Sequence, residues 1–381
     1  MSSGSATAQG SRPYQEDRWL CHAHPPGAAE PGGTQPRFSI AAVYDGHGGA
    51  AASEYSVQNL HAHLCGRLPP RMSEQLGASS GAAADPAPLP SGAVESALAE
   101  AFADTEAGFM TQAMAEGQND GTTATVVVVE PGERRLFTAQ LGDSRAVLGF
   151  IDNEETAADG REEEPESDSL DFSRLTGAAA SAGDEQGRDS KRRRVDPAPV
   201  KMGAVRLTQD HKPQDATERQ RVEAAGGEVV FLGCWRVSHP DCTSYLACSR
   251  AIGDLSLKVP AAVVSCERHT HPAHRTLTLG LLTRASCAAV PDTTVRELRP
   301  DIDQFVIVAS DGLWDVFQDR EAVEFAAAAM AEAAADTEGK EGEGGAELQR
   351  AATALVKAAL ERGSEDNVTA VVVGLGWGAA G

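Results

Sequence analysis

The chain has 381 residues, of which 56 are acidic and 33 basic, so its formal net charge is −23 at neutral pH. A surface this acidic argues against binding to nucleic acid or to an anionic membrane, because both need a basic face. No apolar run has the length of a membrane-spanning helix, and the N-terminus lacks the pattern of a secretory signal. Seven cysteines without a CxxC pair indicate the reduced thiols of an intracellular protein.

Hydrophobic patterning predicts strands and helices that alternate with polar loops. The strands are expected at Phe38–Tyr44, Thr123–Val129, Leu136–Leu141, Arg145–Leu148, Phe305–Ala309 and Val368–Val373. Helices are expected after Gly92 and at about 215–225, 319–335 and 346–362. Strands come in adjacent hairpins and helices in separate clusters, which is the pattern of an α+β protein rather than of an alternating βαβ fold.

One long segment does not fit either pattern. Residues Ile151–Ser190 contain 13 acidic and 3 basic residues and few apolar ones. Such a segment cannot bury enough surface to offset the entropy of ordering it. We therefore interpret about 151–203 as a disordered acidic insertion.

Acidic residues occur repeatedly at the ends of the predicted strands. Asp45 and Asp311 directly follow apolar strands, Asp143 lies at a turn between two strands, and Asp366 precedes the last strand. Carboxylates that converge would resist ionisation together, and a divalent cation such as Mg²⁺ or Mn²⁺ would remove this conflict. Each Asp-Gly pair taken alone is equally typical of a plain turn. The repetition favours a metal site.

These carboxylates belong to a series of motifs that resembles a known family. The chain is similar to the metal-dependent protein phosphatases (the PPM family, or type 2C Ser/Thr phosphatases), and the matches run from Arg12 to Val373. In chain order the motifs are SRPYQED, YDGHGG, DGTTATVVVV, LGDSRAVL, LTQDHKP, RVEAAGG, CSRAIGDLSLK, ASDGLWDVF and SEDNVTAVVV. The resemblance implies a single catalytic domain over 1–381, built as a central β-sandwich of two antiparallel sheets flanked by α-helices on both outer faces.

The resemblance also implies an activity and a metal centre. Such phosphatases hydrolyse phosphoserine and phosphothreonine with two Mg²⁺ or Mn²⁺ ions, which activate a bridging water for attack on phosphorus without a covalent intermediate. By similarity, Asp45 would bridge the two ions. The positions that match metal ligands are Glu16, Asp45, Gly46 through its carbonyl, Asp311 and Asp366, with Asp143 and Asp315, together with Asp311, for a weaker third ion.

Three further residues match catalytic positions of the family. Arg12 is suited to hold two phosphoryl oxygens at once, which a lysine would do less well. His47 would protonate the departing seryl or threonyl oxygen, and Asp17 would orient a metal-bound water. Arg250 and Asp254, inside the motif SRAIGD, are interpreted as a buried structural pair rather than as catalytic residues.

The chain departs from the family pattern in two places. Only eleven residues precede Arg12, so we expect either a short edge strand there or a wrong start site in the sequence. The stretch Cys266–Ala288 has no family counterpart, and we interpret this atypical insertion, at about 266–288, as a translated intron in the gene model.

Two other functions remain open from the sequence. A phosphatase-fold binding protein without activity should have lost a metal ligand or Arg12, whereas a hydrolase of small phosphorylated metabolites could carry the same motifs. For a protein phosphatase, the expected partners are phosphorylated proteins, and neither nucleic acid nor a membrane. The expected state is a monomer. The basic run 191–194 resembles a nuclear-import signal, so the expected location is the cytoplasm, the nucleus or both.

Overall fold

A computed structural model describes residues 2–22, 38–68, 89–130, 132, 134–152, 201–258, 286–336 and 344–376. The strands are β1 (Ser3–Ala8), β2 (Arg18–His22), β3 (Ser39–Tyr44), β4 (Gly46–His47), β5 (Gly121–Thr122), β6 (Ala124–Glu130), β7 (Arg135–Leu141), β8 (Arg145–Ile151), β9 (Met202–Arg206), β10 (Glu228–Phe231), β11 (Trp235–Ser238), β12 (Ile252–Gly253), β13 (Asp292–Glu297), β14 (Asp303–Ala309) and β15 (Val368–Gly374). The helices are α1 (Ala51–Arg67), α2 (Ser91–Glu116), α3 (Ala216–Ala224), α4 (Leu255–Lys258), α5 (Asp311–Trp314), α6 (Asp319–Asp336) and α7 (Gly344–Glu361).

Ten of these strands form two antiparallel sheets. The first sheet has the order β1-β15-β14-β8-β9 and the second the order β13-β7-β6-β3-β2. The edge strand β1 pairs with β15 at six positions, from Ser3 opposite Val373 to Ala8 opposite Val368, so the few residues before Arg12 are enough for a complete edge. The predicted α+β class with two antiparallel sheets is confirmed.

The two sheets pack face to face because their central strands are apolar on both sides. In β3, Ala41 and Val43 belong to the core between the sheets, whereas Ala42 and Tyr44 belong to the core beneath α1 and α2. Strands β14 and β15 alternate in the same way, with their other face packed against α6 and α7. This period of two places helices on both outer faces of the sandwich, as the resemblance implies.

The two predicted insertions lie largely outside the described residues. Strands β8 and β9 are antiparallel neighbours, with Ile151 opposite Met202, so the acidic segment connects two paired strands. Its residues 153–200 lie outside the described part of the chain, as do residues 266–285 of the second stretch. The last three residues of that stretch belong to the fold, since Cys287 is fully buried and Ala288 pairs with Arg250.

A small third sheet and a buried ion pair join the middle of the chain to the second sheet. Strands β12, β5 and β4 form a three-stranded sheet of two residues each. Beside it, the ammonium of Lys258 lies 2.7 Å from the carboxylate of Glu106 on α2, and both side chains are almost wholly buried. Lys258 also donates to the carbonyl of Ala251, while Glu106 accepts from the backbone N–H of Gly253. The pair therefore fixes residues 251–258 against α2.

No helix in the described part of the chain combines the length and the apolarity needed to cross a membrane.

The variant Lys258→Met should lower the free energy of unfolding by about 3–5 kcal/mol, because it leaves the carboxylate of Glu106 buried without its partner. Replacing both residues, in Glu106→Leu/Lys258→Met, should restore much of this stability. Urea unfolding measures both effects. The matched control is Lys357→Met, whose side chain is 75% exposed. An equal, small effect for Lys258→Met and this control would contradict the structural role of the pair.

Candidate active site

A cavity of about 500 Å³ collects most of the residues that the sequence assigns to the site. Asp17 and Asp315 do not line it: Asp17 is fully buried behind it, and Asp315 is exposed just after α5. The other eight assigned residues line the cavity together, and they are Arg12, Glu16, Asp45, Gly46, His47, Asp143, Asp311 and Asp366.

The register of the first sheet explains why distant carboxylates meet here. Ala309 at the end of β14 pairs with Arg145 at the start of β8 and with Ala370 in β15. Asp311 comes two residues after Ala309, and Asp143 comes two residues before Arg145. In an antiparallel pair, one strand ends where its neighbour begins. Both side chains therefore lie at the same end of the sandwich.

The backbone around Asp45 is fixed by the last residue of β5 and by the residue that follows it. Its N–H donates to the hydroxyl of Thr123 at 3.1 Å, and its carbonyl accepts from the N–H of Thr123 at 2.9 Å and from the hydroxyl of Thr122. Strand β3 thus ends at a rigid point, and the carboxylate of Asp45 cannot move away from the other acidic groups by a shift of the main chain.

Burial and like charge both oppose ionisation in this cavity. Burial raises the pKa of Asp45 well above its usual range, and the nearby carboxylate of Asp311 raises it further. The pKa of Asp311 is raised to about 8, first by burial and then by Asp143 and Asp315. The same arrangement favours a bound cation, because a positive charge would stabilise every ionised form at once.

The buried carboxylate of Asp17 has one satisfied and one unsatisfied oxygen. Its Oδ2 accepts from the hydroxyl of Ser310 at 2.9 Å, while Oδ1 has no hydrogen-bond partner among the described residues. Burial raises the pKa of Asp17 to about 6. An orphaned acceptor beside a cavity of carboxylates fits a site whose ion brings water molecules as hydrogen-bond donors.

The carboxylates are not arranged as a closed coordination sphere. Among the described residues, no three His, Cys, Asp or Glu side chains lie close enough together to hold an ion as they stand. Two of the carboxylates are paired with cations of the chain instead: Lys212 lies 2.6 Å from Asp143, and Arg12 lies 2.5 Å from Asp366. The donor set nevertheless fits Mg²⁺ or Mn²⁺, which prefer carboxylate and carbonyl oxygens.

The interpretation of Arg250 and Asp254 as a pair is wrong. Arg250 contacts Glu218 and Asp292, and Asp254 contacts His47 instead. Both Asp254 and His47 line the cavity. The two residues of the motif SRAIGD therefore diverge: Arg250 joins a structural network, and Asp254 turns into the site. Burial opposes a charged imidazole, but Asp254 outweighs this effect and raises the pKa of His47 above its usual value.

Sequence reasoning also missed a residue that positions the N-terminal loop. The side-chain oxygen of Asn367 accepts from the N–H of Glu16 at 2.7 Å, and its amide nitrogen donates to the carbonyls of Gln9 and Tyr14. Asn367 thereby holds the loop that carries Arg12 beside the last strand. The available signal was its place directly after an assigned metal ligand, in SEDN, together with an amide that can donate and accept at once.

Comparison with known proteins identifies the family. The sequence model described as Protein phosphatase 2C matches residues 2–163 and 179–368. The chain belongs to the protein phosphatase 2C family, as its motifs predict. This family comprises serine/threonine protein phosphatases, so the predicted enzyme class is confirmed at the level of the family, which also implies dependence on a divalent metal.

Individual relatives agree with this assignment. A probable protein phosphatase 2C of rice (Oryza sativa subsp. japonica) is 32% identical over 351 residues, covering 92% of this chain and 65% of the rice protein. The human integrin-linked kinase-associated serine/threonine phosphatase 2C is 28% identical over 345 residues, covering 89% of this chain and 63% of the human protein. This chain thus spans slightly less than two thirds of the length of either relative.

Solved structures share the fold. A serine-threonine phosphatase 2C from Toxoplasma gondii superposes with a TM-score of 0.63 at 19% identity and covers 98% of this chain and 94% of that one. A sex-determining protein of C. elegans gives a TM-score of 0.60 at 21% identity, covering 98% of this chain and 64% of that one. Both similarities concern the fold.

The network around Glu218 predicts a pH dependence of stability. Burial alone would raise the pKa of this carboxyl, but hydrogen bonds from Arg250, Ser249 and Arg221 lower it from 4.5 to about 2. A depressed pKa stabilises the fold above the unfolded value of 4.5, and the stabilisation is lost as pH falls towards 2. Glu218 should therefore contribute about 1 kcal/mol less at pH 4 than at pH 7.

Urea unfolding of Glu218→Gln and of the unmodified chain at pH 7 and pH 4 tests this expectation. The stability difference between them should shrink at pH 4. Glu223→Gln, on the same helix but with a side chain that is 53% exposed, serves as the control and should show little difference at either pH. A difference for Glu218→Gln that is equal at both pH values would contradict the assignment.

Proposed function

We propose that this chain is a metal-dependent protein serine/threonine phosphatase that acts on phosphoserine and phosphothreonine residues of proteins. The observation that carries the proposal is the single cavity in which eight of the assigned residues meet, with acidic groups whose pKa values are raised by burial and by one another. A cavity of this kind suits cations and a phosphate group, and the family to which the chain belongs supplies the reaction class.

The residues proposed to hold metal ions come from both ends of the chain and from strand ends between them. When bound, two Mg²⁺ or Mn²⁺ ions would supply a water activated for attack on phosphorus and would neutralise phosphoryl charge. Asp143 and Asp315 are proposed for a weaker third ion. The ligands proposed for the first two ions are Glu16, Asp45, Gly46 through its carbonyl, Asp311 and Asp366.

Three side chains are proposed to act on the substrate and its water. The guanidinium of Arg12 lies at the cavity with its side chain 56% exposed, and its planar fork can hold two phosphoryl oxygens. The imidazole of His47 would give a proton to the leaving seryl or threonyl oxygen. The carboxylate of Asp17, anchored by Ser310, would orient a water from outside the ligand set.

The rim of the cavity favours a protein substrate over a small metabolite. Tyr14 and Tyr245 line the cavity and are 72% and 51% exposed, so they present aromatic surface beside the site. Such surface can contact the residues that flank a phosphorylated side chain.

A binding protein without activity is disfavoured because Arg12 and all proposed metal ligands are present. We further propose that the chain works inside the cell, in the cytoplasm, the nucleus or both, as a monomer.

Purified protein should hydrolyse a phosphothreonine peptide with Mn²⁺ or Mg²⁺ and lose this activity with a chelator. Asp311→Ala should reduce the rate by more than the roughly 100-fold loss typical for residues that only support a metal ligand. Asp104→Ala, at a side chain that is 52% exposed on α2, is the matched control and should retain full activity. Metal-independent hydrolysis, or a preference for small phosphorylated metabolites over the peptide, would contradict the proposal.

Arg12→Lys should raise the KM for the phosphothreonine peptide about 10-fold, which corresponds to about 1.4 kcal/mol, because a lysine keeps the charge but cannot bind two oxygens in one plane. Steady-state kinetics at saturating Mn²⁺ measure the effect, and a thermal melt shows that the fold is retained. An unchanged KM would mean that Arg12 does not contact the phosphoryl group.

A further inference from the structure

The imidazole of His47 is held by a residue that matches none of the catalytic positions assigned above. Its Nε2 lies 3.0 Å and 2.9 Å from the two carboxylate oxygens of Asp254. A carboxylate can only accept, so Nε2 carries the hydrogen of this contact. The other ring nitrogen, Nδ1, is then the one left for a substrate, and it donates a proton when the ring carries a hydrogen on both nitrogens. The carboxylate is buried, with 7% of its side chain exposed, whereas the imidazole at the cavity is 30% exposed.

The small third sheet brings His47 and Asp254 together, although the two residues are 207 positions apart in the chain. His47 in β4 pairs with Gly121 in β5, and Gly121 pairs with Gly253 in β12, which directly precedes Asp254. A Cβ on Gly121 would lie 2.2 Å from Nε2 of His47 and from Oδ2 of Asp254. Only glycine therefore leaves room for the contact.

The main chain of Asp254 is held in an unusual conformation. Its φ is +55°, in the left-handed region that few residues with a side chain adopt. The N–H of Asp254 donates to the carbonyl of Asp120 at 2.9 Å, and its carbonyl accepts from the N–H of Leu257. The buried pair of Glu106 and Lys258 fixes the same segment from the other side. Backbone held in this way is typical of functional positions, where the surrounding structure enforces it.

From the contact, the dedicated sheet and the enforced backbone, we propose that Asp254 is a positioning residue that holds the imidazole of His47 in the orientation from which Nδ1 serves the leaving oxygen of the substrate. The inference rests on the proposed role of His47 as proton donor. The role should matter for a phosphothreonine peptide but not for 4-nitrophenyl phosphate. An alkoxide leaves slowly without a proton, whereas 4-nitrophenolate leaves readily without one.

The test compares two substrates and two variants. Asp254→Asn keeps the shape of the side chain, and Asp254→Gly suits a positive φ, so both should fold. With Mn²⁺, kcat for a phosphothreonine peptide should fall about 100-fold in each variant, whereas kcat for 4-nitrophenyl phosphate should change less than about 3-fold. His47→Gln should show the same selectivity, and the double variant His47→Gln/Asp254→Gly should lose nothing further.

A spectroscopic readout addresses the contact without catalysis. In protein with ¹⁵N-labelled histidine, the Nε2–H signal of His47, identified by its loss in His47→Gln, should shift or disappear in Asp254→Gly. Asp241→Asn is the matched control, since Asp241 lies 3.7 Å from Nδ1 of His239 and its side chain is 65% exposed. This control should alter neither the kinetics nor the spectrum.

Equal losses on both substrates, or further loss in the double variant, would overturn the proposal in favour of a purely structural role. An unchanged Nε2–H signal in Asp254→Gly would overturn it as well. If the unmodified protein hydrolyses neither substrate, the proposed phosphatase activity fails, and the spectrum alone then decides whether Asp254 holds His47.

Discussion

Repulsion between carboxylates in one partly buried cavity is the constraint on which the arrangement of this site depends. Acidic groups at strand ends cannot spread apart, because the strands that carry them are fixed in the hydrophobic cores on both of their faces. Asp45 is held by the last residue of β5 and the residue that follows it, and Asp311 begins a helix that directly follows a central strand. Two basic side chains of the chain neutralise part of this negative charge, since Lys212 pairs with Asp143 and Arg12 pairs with Asp366. Rigidity and excess negative charge are together what a metal centre requires before any ion is bound.

The sandwich was predictable because its strands carry strong local signals. The runs at Phe38–Tyr44 and Phe305–Ala309 are apolar on both faces, and such continuous runs are typical of strands that are covered on both sides. The third sheet was not predictable in the same way. Its strands have two residues each and no periodicity, and they exist only because distant segments meet. Strand pairing that depends on a partner far away in the chain cannot be predicted from the residues around either segment.

The site residues that could be predicted are those that a motif places beside the end of a strand. Glu16 and Asp45 line the cavity as expected, whereas Asp315 lies outside its lining. Arg250 and Asp254 belong to one motif, but their side chains have different partners. The backbone shows a local reversal of handedness at Asp254, whose side chain contacts His47, whereas that of Arg250 contacts Glu218. Neither residue type nor spacing shows such a local reversal.

The pairing of β1 with β15 sets the order in which the protein can be completed during synthesis. The edge of the first sheet forms only when residues near Ser3 meet residues near Val373, and the loop with Arg12 is held by Asn367. Closing so long a stretch of chain comes late in folding, because the entropy of closure is lost before the contacts repay it. A nascent chain on the ribosome can therefore assemble the second sheet while the site is still incomplete. The cavity becomes whole only after the residues near Val373 have emerged and strand β15 has paired with strand β1.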